Sequence, residues 1–293
     1  MHASPLLEAL VVAAHGRQYR VELENGDNLL CFPRGKKSEI ACGDHVRVRR
    51  GSETQGVIET LLPRASLLYR SNAFRQKLIA ANVDQIVFVI ATEPAFSEDL
   101  IERCLIAAAS QHIAPLLVLN KCDLSGRLPA ARAALAGFLA RDVPVLELSA
   151  RNDAAALLPH LSGKTSVLVG QSGMGKSTLV NALVPEAAAA TREISAALDS
   201  GKHTTTHATL YRLDAQSRLM DSPGLQAFGL AHLSREELTA AFPEFAPWLG
   251  ECRFRDCRHA SDAGCALVAA AARGDFAPER LALFQMLAAE ARV

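Results

Sequence analysis

Ser166-Val-Leu-Val-Gly170-Gln171-Ser172-Gly173-Met174-Gly175-Lys176-Ser177-Thr178 is the stretch that decides the reading of this chain. Ser166 to Val169 reads as a buried strand, and Gly170 to Ser177 has the spacing G-x-x-x-x-G-K-[ST], a glycine-rich loop that opens a helix. Backbone N–H groups from Gly170 to Thr178 would surround a β-phosphate at that helix N-terminus, where the dipole favours anions. Glycines are needed because side chains would block the approach and the turns need unusual dihedrals. Lys176 would set its ammonium between the β- and γ-phosphates, and Ser177 would ligate Mg²⁺.

Two further motifs bracket this loop in an unusual order. Asn120-Lys121-Cys122-Asp123 reads N-K-x-D and precedes it, and Asp221-Ser-Pro-Gly224 reads D-x-x-G and follows it. The Asp123 carboxylate can accept both N–H donors on the Watson–Crick edge of guanine, and adenine presents no such pair. Asn120 would brace the loops, the Lys121 stem would cover the base, and Ser149-Ala150 suits a backbone contact to the guanine carbonyl. Asp221 would hold a magnesium-bound water, with the Gly224 amide sensing the γ-phosphate. An ordinary GTPase runs phosphate loop, D-x-x-G, N-K-x-D. Such a site is assembled from loops at the carboxyl ends of parallel strands, so chain order is free to change. The expectation is a circularly permuted GTPase.

Leu225 follows Gly224 where many GTPases carry a water-orienting glutamine, and an aliphatic chain cannot polarise water. Gly201-Lys-His-Thr-Thr-Thr-His207 lies between the phosphate loop and D-x-x-G, in the position of a first switch. Thr205 is the candidate to complete the magnesium shell. His203 is the candidate for orienting the attacking water, against the plainer reading of a solvated loop histidine.

Working outward, the sequence from about residue 70 keeps a βα rhythm that residues 186 to 208 break, with strands at Val83–Ile90, Leu116–Leu119, Val145–Leu148, Thr209–Leu213 and Arg218–Met220. That predicts a largely parallel sheet with helices on both faces. Before it, β-prone pieces such as Tyr19–Leu23 and His45–Arg49 alternate with turn signals at Asn25-Gly26-Asp27, Gly43-Asp44 and Gly51-Ser52. This predicts a small barrel of OB type, with an unspecialised β-domain as the alternative. After residue 230 the sequence reads helical, interrupted by Cys252 to Cys265. The expected division is an OB-fold-like domain over 1–68, the permuted GTPase over 69–229 and a zinc-binding helical domain over 230–293.

Cys252-x4-Cys257-x-His259-x5-Cys265 places three thiols and an imidazole close together in a polar segment. Three thiolates and an imidazole satisfy tetrahedral Zn²⁺ with no open position, so one structural zinc per chain is expected. Arg253, Arg255 and Arg258 interleave with these ligands. Cys31, Cys42 and Cys104 read as isolated buried thiols.

The 293 residues carry 31 Lys+Arg against 31 Asp+Glu, so bulk charge favours no polyanionic partner. Residues 1–70 hold ten basic against eight acidic side chains, which leaves local patches such as Arg47, Arg49 and Arg50 to make any nucleic-acid contact. No apolar run approaches a membrane span and no secretory leader is read, so the expected location is the cytoplasm.

The permuted motif order, the cysteine–histidine cluster, Ala80-Ala-Asn-Val-Asp-Gln-Ile86 and Gly201-Lys-His-Thr-Thr-Thr206 together resemble the ribosome small-subunit-dependent GTPase A family (YjeQ/RsgA) over nearly the full length. The resemblance implies an OB domain, a permuted GTPase and a zinc domain, with subunit-stimulated GTP hydrolysis late in small-subunit maturation. It implies GTP/GDP, the small ribosomal subunit and its rRNA as partners, and His203 as the switch histidine of catalysis. A monomer is expected. Two other classes stand beside it: a metabolic P-loop phosphotransferase, and a zinc-dependent RNA-binding protein whose nucleotide site is structural.

Overall fold

A computed structural model describes residues 5–35, 39–71, 76–185, 187, 208–222, 230–260 and 262–290. The chain begins with β1 (Leu6–His15), β2 (Gln18–Leu23), β3 (Asn28–Pro33), β4 (His45–Arg50) and β5 (Gln55–Leu61). β1 pairs with β2 and β4, β2 with β3, β3 with β5 and β5 with β4, which closes a five-stranded barrel. Alternation fills it: Val11, Tyr19, Val21, Leu29, Cys31, Val46, Val48 and Ile58 point inward as one apolar cluster. The β2–β3 turn follows its sequence, with Asn25 Oδ1 accepting from Asp27 N–H at 3.1 Å.

A hairpin of β6 (Leu67–Ser71) and β7 (Gln76–Ala81) follows, which sequence reading did not anticipate. It docks on the barrel at Gly43. There φ is +92°, and a Cβ would stand 2.1 Å from Ala81 O, so only glycine fits the approach.

The sheet of the central region is built from β8 (Gln85–Ala91), β9 (Ala114–Asn120), β10 (Val145–Glu147), β11 (Thr165–Val169), β12 (Ala208–Arg212) and β13 (Arg218–Asp221). Its order is β10-β9-β8-β11-β13-β12, parallel throughout except for β12. Helices α1 (Glu98–Ser110), α2 (Leu128–Leu139), α3 (Leu158–Leu161) and α4 (Lys176–Leu183) cover it. β8 is buried along its whole length, and its side chains serve two cores in alternation. Ile86, Phe88 and Ile90 join α1 and α2 on one face, and Val87 and Val89 join α4 on the other.

β1 also pairs with β12, Ala13 opposite Thr209, so barrel and central sheet form one hydrogen-bonded surface. After residue 230 come α5 (Arg235–Ala240), α6 (Ala266–Arg273) and α7 (Pro278–Glu290). A full capping box between Ser234 and Glu237 starts α5. Phe242, Phe245, Leu267 and Phe284 share the core cluster of α1. Ion pairs reinforce that seam: Arg280 with Glu102 and Glu244, and Arg103 with Glu290.

Each arginine of the basic patch expected on the barrel is paired with a carboxylate. Arg47 pairs with Glu8, Arg49 with Glu59 and Arg50 with Asp27. Cys31, Cys42 and Cys104 are buried, and burial pushes the Cys31 thiol up to about 11. Among the described residues no helix is long and apolar enough to cross a membrane.

Candidate functional site

Parallel strands deliver their carboxyl ends to one edge, and there the motifs meet. A cavity of about 460 Å³ is lined by Asn120, Lys121, Asp123, Leu124, Ser149, Ala150, Arg151, Ser172, Gly173, Gly175, Lys176, Ser177 and Thr178. Three segments distant in sequence thus wall one space.

Asn120, 1% exposed at the end of β9, ties the walls together. Its Nδ2 donates to Met174 O at 2.8 Å, and its Oδ1 accepts from the Lys121 and Ala150 N–H groups at 2.7 and 2.8 Å. Gly175 has φ +95°, and a Cβ there would lie 2.2 Å from Asn120 Nδ2. Gly170, at φ +146°, would drive a Cβ to 2.2 Å from Val89 O. Both glycines are therefore required by contact as well as by dihedral.

Lys121 Nζ donates to Glu93 O at 2.7 Å and Gly173 O at 2.8 Å, which lays its stem across the mouth of the phosphate loop. Lys176 Nζ donates to Gly170 O and Gln171 O, at 2.7 and 3.0 Å. Burial pushes the Lys176 pKa down, and the Asp221 carboxylate acts in the opposite direction. An anion in the loop would stabilise the ammonium. Gln171 Oε1 accepts from Ser97 N–H at 3.3 Å, linking the loop to the start of α1.

Not every expected residue lines the cavity. Met174 is buried in the core beneath α4, Cys122 is half-buried against the α1 face, and Asp221 is buried at the end of β13. The Asp123 carboxylate is exposed at the cavity with no hydrogen-bond partner among the described residues. Gly224, Leu225, His203 and Thr205 lie outside the described residues. Leu124 and Arg151 line the cavity and were missed in the sequence. Each directly follows a predicted motif, which was the available signal.

Ser177 and Thr178 lie in the first turn of α4 and line the cavity, so this helix N-terminus fits a phosphate chain with its Mg²⁺. The four cysteine–histidine donors fit a metal ion equally well. His259 Nδ1 lies 3.5 Å from Cys252 Sγ, 3.6 Å from Cys257 Sγ and 3.5 Å from Cys265 Sγ. All four ligand atoms lie within 4.8 Å of one another. Tetrahedral zinc, with bonds of about 2.3 Å to sulfur and about 2.05 Å to nitrogen, separates S and N by about 3.6 Å. His259 takes a left-handed φ of +58°, and Gly264, at +76°, leaves room for Arg253 that a Cβ would fill. The backbone is thus bent to converge these four side chains.

The family model described as RsgA GTPase matches residues 61–231. The chain is 51% identical over 286 residues to the small ribosomal subunit biogenesis GTPase RsgA of Nitrosospira multiformis, covering 98% of this chain and 91% of that protein. It is 55% identical over 286 residues to the protein of the same name from Burkholderia pseudomallei, covering 96% and 91%. Among solved structures it is similar to YjeQ from Thermotoga maritima, with TM-score 0.69 and 28% identity over 98% of each chain. It is also similar to YloQ, described as a circularly permuted GTPase, with TM-score 0.67 and 25% identity over 99% of this chain and 96% of that one. A permuted motif order, a barrel joined edgewise to the nucleotide-binding sheet and these likenesses coincide, and the chain belongs to the RsgA family of circularly permuted GTPases.

Proposed function

We propose that this chain hydrolyses GTP while bound to the small ribosomal subunit, assists late maturation of that subunit, and is released when hydrolysis occurs. The observation that carries the GTP reading is Asn120, which binds the phosphate loop to the base loop and leaves the Asp123 carboxylate open at the cavity. The ribosomal assignment is supported by relatives named small ribosomal subunit biogenesis GTPase. Neither the metabolic phosphotransferase nor the RNA-binding protein with a structural nucleotide site is favoured beside it.

In this reading the division is a barrel over 1–68, the GTPase over 69–229 and a zinc-binding helical region over 230–293. Gly170, Gln171, Ser172, Gly173, Met174, Gly175, Lys176, Ser177 and Thr178 hold the phosphates, largely through backbone N–H groups. Asn120, Lys121, Cys122, Asp123, Ser149 and Ala150 form the base side. Ser177 and Thr205 ligate Mg²⁺, Asp221 holds one of its waters, and Gly224 senses the γ-phosphate. His203 orients the attacking water because Leu225 has no polar atom to do so. Partners are GTP/GDP and the small subunit with its rRNA, and the protein works as a cytoplasmic monomer.

Turnover measured with and without small subunits tests this assignment. Slow hydrolysis by the free protein should accelerate with subunits, and His203→Ala should lose about 10²-fold of that accelerated rate with GTP affinity retained. Full stimulation in the variant would remove His203 from the chemistry. No stimulation of the unsubstituted protein would remove the subunit from the function.

Zinc at Cys252, Cys257, His259 and Cys265 serves the fold. Cys257→Ser replaces a thiolate with a poor ligand, and bound zinc should fall well below one ion per chain. Protection of amides around 250–266 should fall with it, while GTP binding persists. Elemental analysis of the natively purified protein with no zinc would contradict the assignment.

A further inference from the structure

The backbone donors expected to meet the guanine carbonyl are already engaged. Ser149 N–H donates to Asp153 Oδ1 at 2.5 Å, and Ala150 N–H donates to Asn120 Oδ1 at 2.8 Å. The Ser149 hydroxyl is buried without a hydrogen-bond partner, so it is not presented to the cavity. Lys121 and Lys176 direct their ammonium groups to backbone carbonyls. Arg151, next in sequence, is exposed and lines the same cavity, with neither its guanidinium nor its backbone N–H engaged among the described residues.

Its position is well fixed. Asn152 N–H and Asp153 N–H both donate to Ser149 O, at 3.0 and 2.9 Å, so residues 149–153 form a closed turn with Arg151 at its tip. A side chain on a fixed turn loses little backbone freedom when it meets a ligand.

We infer that Arg151 is a specificity-determining residue whose guanidinium donates to O6 and N7 of guanine. This rests on the GTP reading above. Asp123 takes the N1–H and N2–H donors, and the edge left over is the O6/N7 acceptor pair, which the arginine fork matches bidentately. Adenine presents N7 beside an amino donor, so the fork would meet a donor in place of O6. Two elements of opposite charge then read opposite properties of one base: Asp123 its donors, Arg151 its acceptors.

The test is equilibrium binding of GTP, 7-deaza-GTP (N7 replaced by C–H) and 6-thio-GTP (O6 replaced by a poorer acceptor) to the full chain. The unsubstituted protein should bind each analogue about 10-fold more weakly than GTP, the lower part of the range for a bidentate arginine–guanine pair. Arg151→Ala should bind GTP about 10-fold more weakly and bind the analogues as well as it binds GTP. Arg151→Lys keeps the charge but not the fork, and it should not restore the discrimination. A thermal melt that matches the unsubstituted protein excludes misfolding, as expected for an exposed side chain with no hydrogen bond or ion pair among the described residues. If Arg151→Ala weakens all three nucleotides equally, or retains the discrimination, the assignment is overturned and the GTP reading stands. If the unsubstituted protein binds none of them, the GTP reading itself fails.

Discussion

Replacing Lys176 with alanine is expected to lower GTP turnover by about 10³-fold, because one preorganised cation on the transferring phosphoryl group contributes on that scale. The side chain is 8% exposed, and its ammonium is held by Gly170 O and Gln171 O at the floor of the phosphate loop. Burial lowers its folded pKa, with Asp221 opposing. The folded chain therefore holds the proton less readily than the unfolded chain. That costs stability at pH values below the folded pKa, and the cost is relieved as pH rises through it. The substitution should accordingly leave the melting temperature at pH 7 unchanged or raised. Single-turnover hydrolysis at saturating GTP and Mg²⁺, paired with a melting curve, separates lost chemistry from lost fold. Turnover within about threefold of the unsubstituted protein would show that the loop cation is not part of the reaction.

Asp123→Asn should weaken GTP binding by about 10²-fold and improve binding of xanthosine triphosphate. The carboxylate stands exposed at the cavity without a competing protein donor, so both of its oxygens are available to guanine. Two charge-assisted hydrogen bonds account for a loss of that size. The amide turns a donor toward the base, which suits the carbonyl that xanthine carries where guanine has its amino group. Direct titration with both nucleotides checks the exchange. Unchanged GTP affinity would mean that another group selects the base.

The central fold was legible because its signals are local. Ile86–Ala91 is continuously apolar because β8 has a core on each face, and the phosphate loop names its own strand and helix. Alternation in Tyr19–Leu23 and His45–Arg49 gave barrel strands for the same reason. Three features were not legible because they depend on distant partners. Pairing of Ala13 with Thr209 joins segments with no shared sequence cue. The hairpin of β6 and β7 is docked through the tight approach at Gly43, which reads in sequence as an ordinary turn glycine. The arginines at 47, 49 and 50 read as a basic patch, and only the folded barrel brings Glu8, Glu59 and Asp27 beside them.

In the site, Asn120 was legible as a brace from its motif alone, and its bonds to Met174 and Ala150 are where such a brace is useful. The engagement of Ser149 and Ala150 was not, because Asp153 and Asn120 compete for those amides only in the folded turn. The convergence of the four cysteine–histidine donors was legible from donor type and spacing, since four groups within one short segment need little help from the rest of the fold.

Co-sedimentation of the full chain with purified small ribosomal subunits tests the central claim most directly. The protein should pellet with subunits in the presence of a non-hydrolysable GTP analogue and Mg²⁺, stay in the supernatant with GDP, and show no retention with the matching ATP analogue. Equal retention in the GTP-analogue and GDP states, or none in either, would contradict a GTPase whose hydrolysis releases it from the subunit.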